Sequence, residues 1–165
     1  MKKSTQPIPP GFHTVTASLI VQNATEAIEF YKNALGAEEI MRMTGPDGKI
    51  GHAEIKIGDS IVFITDEMPG MHSKSPQTLG GTSGSLYLYV EDVDKAFQRA
   101  IDAGGKVSMP LMDMFWGDRF GSFVDPYGQT WALSTHTMDM SPEEIEEGAK
   151  KFHAEVAEQM QKKTA

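Results

Sequence analysis

The chain opens with a polar, proline-containing stretch and then, from His13 to Val21, alternates side chains in the period-two pattern of a strand. Ala27, Ile28, Tyr31 and Leu35 next recur at helical spacing. Asn23 and Glu26 form a capping box at the start of that helix, and Gly36 ends it. Extended runs at 37–43 and 50–57 flank Gly45-Pro46-Asp47-Gly48, a strong hairpin turn, and a third run, Ser60–Thr65, follows Gly58-Asp59. Residues 66–84 carry glycine and proline without periodicity and read as a linker. The order then returns: a strand at Ser85–Val90, a helix capped by Asp92 and carrying Val93, Phe97, Ala100 and Ile101, and a stop at Gly104-Gly105. Strand candidates follow at Lys106–Met109, Arg119–Val124 and Thr130–Thr135.

The return is a repeat. Leu19, Val21, Ala27, Ile28, Ala34 and Gly36 match Leu88, Val90, Ala96, Phe97, Ala103 and Gly105, always 69 positions apart. One offset running through strand, helix and cap points to duplication of a βαβββ module. The expected division is a loose leader (1–10), module one (11–65), a linker (66–84), module two (85–137) and a C-terminal amphipathic helix (138–165). In that last segment Ser141 is the N-cap and Pro142 the first helical residue, with an acidic first turn. Its apolar stripe of Ile145, Ala149, Phe152, Val156 and Met160 must lie on its own domain or on a partner.

Composition narrows the role. At 165 residues the chain has length for one domain or two closely packed halves. A formal charge of −8 argues against nucleic acid and anionic membrane as partners. No apolar run suits a bilayer span, and the N-terminus lacks a signal-peptide core, so a cytoplasmic protein is expected. With no cysteine there is no thiolate nucleophile or ligand. Walker, dinucleotide, zincin and nucleophile-elbow motifs do not occur.

"LIVQNATEAIEFYKNALGAEE", "SLYLYVEDVDKAF" and "FWGDRFGSFVDPYGQTWALSTH" resemble the vicinal-oxygen-chelate superfamily of glyoxalases, bleomycin-resistance proteins and extradiol dioxygenases, and most of all its PhnB-like branch. The likeness runs from about residue 12 to 137. It implies an α+β fold in which two paired βαβββ modules form a curved, cavity-enclosing sheet, with helices on the outer side. It also implies a homodimer, which the C-terminal helix is available to support. Metal-using members take ligands from the first and last strand of each module; the matching positions here are Thr16, Phe63, Ser85 and Ala132. Phenylalanine and alanine offer no donor atom, so no metal site of the usual kind, and no cofactor, is expected.

Strand alternation then selects the inward residues. His52 and Glu54, two apart on one strand face, suit an acid–base pair, and an ordinary hydrogen-bonded pair fits the same spacing. Tyr87 and Tyr89 are expected to look into the cavity, Trp116 to roof it, and Arg119, placed opposite His52 by the repeat, to hold an anionic group. The expectation is a small-molecule-binding protein that sequesters its ligand or runs lyase or isomerase chemistry through His52 and Glu54. The alternatives are a metal-dependent glyoxalase- or dioxygenase-like enzyme with displaced ligands (His52, Glu54, His136), and an interaction protein working through its C-terminal helix.

Overall fold

The computed structural model describes residues 3–164; the side chain of Met160, counted above in the apolar stripe, lies outside what is described. The elements are β1 (Ala17–Val21), α1 (Ala24–Leu35), β2 (Glu38–Thr44), β3 (Ile50–Ile57), β4 (Ser60–Asp66), α2 (Pro76–Leu79), β5 (Ser85–Tyr89), α3 (Val93–Asp102), β6 (Lys106–Asp113), β7 (Asp118–Val124), β8 (Thr130–His136) and α4 (Pro142–Thr164). They form two four-stranded sheets of identical order, β1-β4-β3-β2 and β5-β8-β7-β6. In each, the first strand runs parallel to the last and the remaining pairs are antiparallel. The fold is α+β, two βαβββ modules with a C-terminal helix.

Local chemistry sets the element ends. Asn23 and Asp92 accept hydrogen bonds from the backbone N–H of Glu26 and Lys95, and Gly36 closes α1 at φ 67. Ser141 and Glu144 close a full capping box, each side chain accepting from the other's backbone N–H. Each module also ties its last strand to its helix start. In module one the buried Asp66 carboxylate accepts from Ala24 and Ile50 N–H; in module two the Thr135 hydroxyl accepts from Val93 N–H and donates to the Val90 carbonyl.

One face of each sheet is covered by its helix, and the two covered faces share a core. Leu19, Val21, Ala53, Ile55, Val62 and Ile64 from the first sheet join Phe123, Trp131 and Leu133 from the second, with Ile28, Tyr31 and Phe97 between. α1 packs on α3, and Arg99 Nε donates to the Ala34 carbonyl at 3.0 Å. The Tyr31 hydroxyl and Trp131 Nε1 both donate to the buried Asp125 carboxylate at 2.9 Å, joining the modules through a satisfied polar centre. The helices therefore pack on each other within a shared core, and the other face of each sheet is left without a helix.

Three features depart from the sequence reading. The first strand starts at Ala17, where pairing with Val62 begins, and Val15 before it is exposed. The linker contains a short helix, α2, capped by Ser75. β6 runs four residues further than its periodicity showed, through Pro110 to Asp113, on the sheet edge where a missing N–H is tolerated.

Candidate ligand-binding site

Register sorts each uncovered face residue by residue. In the first sheet Ser18 lies beside Phe63, Phe63 beside Glu54, and Glu54 beside Met41; His52 pairs with Met43. His52 Nε2 sits 3.3 Å from Glu54 Oε1, and its ring stands edge-on to Phe63 at 4.8 Å. Phe12, ahead of β1, packs on the other side of Phe63. His52 and Glu54 are thus brought together, half-buried, beside Phe63, Met41 and Met43.

In the second sheet Tyr87 lies beside Ala132 and Tyr89 beside Ser134, while Ser134 lies beside Phe120 and His136 beside Asp118. Side chains here converge on one atom group. The Asp118 carboxylate, 2% exposed, accepts from the hydroxyls of Tyr89 (3.0 Å), Tyr87 (3.3 Å) and Ser134 (3.2 Å) on one oxygen and from His136 Nδ1 (2.8 Å) on the other. Burial pushes this carboxyl up, but the hydrogen bonds from His136, Tyr89, Ser134 and Trp116 outweigh it and hold Asp118 below the ordinary aspartate value. The same bonds raise His136, through Asp118 first and then Asp139, whose carboxylate lies 3.0 Å from Nε2. Tyr89 is pushed up to about 12, chiefly because it donates to Asp118.

Above that carboxylate the rings form a row. Tyr89 and Tyr87 are 5.1 Å apart, Tyr87 stacks on Phe120 at 5.6 Å and 24°, and Trp116 meets Phe120 edge-on at 5.9 Å. Tyr87 and Tyr89 also border a groove of about 660 Å³ that runs along the unpaired edge of β5, opposite the Ile57–Ser60 hairpin.

Arg119 is a correction. It pairs with Thr135, whose hydroxyl serves the start of α3, so Arg119 is on the helix-covered face, not opposite His52. There its guanidinium grips Asp94 of α3 with two bonds (2.6 and 2.7 Å) and reaches Asp113 (3.2 Å). The cause is hairpin length. Lys56 pairs with Ile61 across four residues, whereas Val124 pairs with Thr130 across five. The extra residue changes the offset of β7 from 69 to 68, so the partner of His52 in the repeat is Phe120 and not Gly121 or Arg119, which share the opposite face; a one-residue slip reverses a side chain's face. His136, weighed as a third ligand beside His52 and Glu54, is also placed elsewhere, on Asp118 in the other sheet. Asp118 is not legible as a centre from its local sequence, because its partners Tyr87, Tyr89, Ser134 and His136 come from other strands. The available signal was the alternation Asp118, Phe120, Ser122, once the longer hairpin is counted.

The positions where metal-using relatives hold their ion do not fit one. Phe63 is wedged between Phe12 and His52, and Ala132 is buried in register with Tyr87. Neither offers a donor. Among the described residues no three His, Cys, Asp or Glu side chains form a metal-binding group.

The duplicated module and its outward faces define the class, a paired-βαβββ scaffold. Residues 11–133 match the model of the Glyoxalase/Bleomycin resistance protein/Dioxygenase superfamily, and the chain belongs to that superfamily. An uncharacterized protein of Mycobacterium tuberculosis is 42% identical over 131 residues, covering 78% of this chain and 77% of its own. The crystal structure of TioX from Micromonospora sp. ML1 superposes with a TM-score of 0.60 at 24% identity, covering 78% of this chain and all of that one. The PhnB protein of Bacillus cereus gives 0.59 at 22%, covering 74% and 99%. At those identities the two structures establish the shared fold alone.

Proposed function

We propose that this protein binds a small planar molecule on the aromatic face of its second sheet, without a metal of the kind its metal-using relatives hold, and that a second copy closes the pocket. The observation that carries the reading is the row Tyr89–Tyr87–Phe120–Trp116 held above a buried, fully bonded Asp118. Hydroxyls that all point down to one carboxylate fix the rings in place, which is preorganisation for stacking. In a structural core these rings would be covered; here Tyr89 is 66% and Tyr87 43% exposed.

One chain leaves that face open. β1 and β5 each have one unpaired edge, and the exposed apolar side chains Met41, Met43, Tyr87 and Tyr89 gather on the two uncovered faces. Free edges beside exposed apolar surface favour association. In a twofold dimer the first sheet of one copy faces the second sheet of the other, bringing His52 and Glu54 across from the aromatic row. Sequestration needs only the rings. His52 and Glu54 add the means to move a proton on a bound molecule, the lyase or isomerase form of the same reading. The setting is a cytoplasmic homodimer.

The test is nuclear magnetic resonance of the two indole N–H groups. Quinoline, a neutral planar probe, should shift Trp116 saturably and leave Trp131, bonded to Asp125 in the core, unmoved. Unmoved Trp116 at saturating quinoline would overturn the proposal.

A further inference from the structure

We infer that the ligand of the aromatic face is a planar organic cation. The inference rests on the small-molecule reading above and reverses the charge expected from sequence, since the Arg119 guanidinium that was to receive an anion is on the other face and held by Asp94 and Asp113.

Two independent features support it. The first is the surface offered. Four rings in sequence, one of them an indole, present π-faces, and a cation placed over Trp or Tyr is attracted by the ring quadrupole. The Tyr87 and Tyr89 hydroxyls donate to a carboxylate, so their rings are enriched in electron density and their O–H groups are turned away from any ligand. The second is the charge beneath. Asp118 and Asp139 flank a single imidazole, His136, so even with His136 protonated one negative charge is left over. An anion would need donors, and those beneath the rings are taken: Tyr87, Tyr89, Ser134 and His136 all donate to Asp118, while Lys106, on the same face, is in register with Val124 at the far end of β7. The chain's overall charge of −8 adds long-range attraction of the same sign.

Shape follows from the ring geometry. Tyr87 and Phe120 lie nearly parallel, 24° apart, with Tyr89 inclined to Tyr87 at 44° and Trp116 to Phe120 at 67°. A flat fused bicyclic cation has ring faces to lay on this row.

Calorimetric titration of the full chain at pH 8 with three bicyclic probes of nearly one shape tests the charge alone: N-methylquinolinium, quinoline and 1-naphthalenesulfonate. The expected result is N-methylquinolinium tighter than quinoline by about tenfold, with the sulfonate weakest. Asp118→Asn should lower the ratio of N-methylquinolinium to quinoline affinity towards one, whatever it does to either affinity alone. Should that variant fail to fold, Asp139→Asn, at a fully exposed position, should narrow the gap in the same direction. Equal affinity for quinolinium and quinoline, or tightest binding of the sulfonate, would overturn the cation preference and leave the aromatic pocket standing. Failure of all three to bind would overturn both.

Discussion

A single carboxylate organises the proposed site. Asp118 is buried and receives hydrogen bonds from Tyr87, Tyr89, Ser134 and His136, so Asp118→Ala leaves several donors to find water or nothing. A loss of about 2–3 kcal/mol is expected in urea denaturation, because the two tyrosine hydroxyls can turn to solvent while Ser134 cannot. Arg119→Ala, one residue away, should cost far less, since its pairs with Asp94 and Asp113 are exposed, and should leave quinoline affinity unchanged. His136 gives a pH signature. Its folded pKa is raised, so its contribution is fully present below its unfolded value of about 6.5 and is lost as pH rises through the folded value. Asp118 is shifted down, so its contribution fails instead as pH falls through its folded value. Urea midpoints should therefore fall as pH is raised beyond about 6.5 in the native chain and stay level in a His136→Ala variant. Alternation along β5 was enough to place Tyr87 and Tyr89 on the uncovered face. It was not enough for Arg119 and Asp118, because the face of every β7 residue depends on how many residues the following hairpin holds.

The elements owe their ends to short-range signals, and those were legible: Asn23, Gly36, Asp92 and Ser141 each sit where their chemistry indicates. What was not legible depended on distant partners. β6 reaches Asp113 only because β7 pairs with it, and α2 forms where Glu67 accepts from Ser75 and Thr78. α4 is the instructive case. Its capping box and stripe were readable, but not that it crosses Phe115 at Gly148, where an added Cβ would come within 2.6 Å of the Phe115 Cβ. Gly148→Leu should lift α4 from Phe115, with Phe152 losing its ring contact, at a cost of roughly 1–3 kcal/mol. Limited proteolysis should then cut after residue 137 faster, while the modules stay folded. Tyr31→Phe probes the other junction: removing its bond to buried Asp125 should cost about 1–3 kcal/mol and weaken both modules together.

At the scale of the whole molecule, duplication explains the architecture and also leaves it incomplete. The repeat was visible as a constant spacing, and the pairing order of the sheets follows it strand for strand. The way the modules meet was not visible, because Arg99 ties α3 to α1, and Tyr31, Asp125 and Trp131 tie α1 to the second sheet, through contacts that no local pattern announces. His52 and Glu54 lie on the first sheet and Tyr87 and Tyr89 on the second, and the proposed pocket brings the two sets together from two chains. The most direct test is sedimentation velocity of the protein with N-methylquinolinium followed by its own absorbance. The probe should travel with a species of two chains, and dilution that splits the species should release it. A single-chain species still carrying the probe at full affinity would contradict the shared pocket.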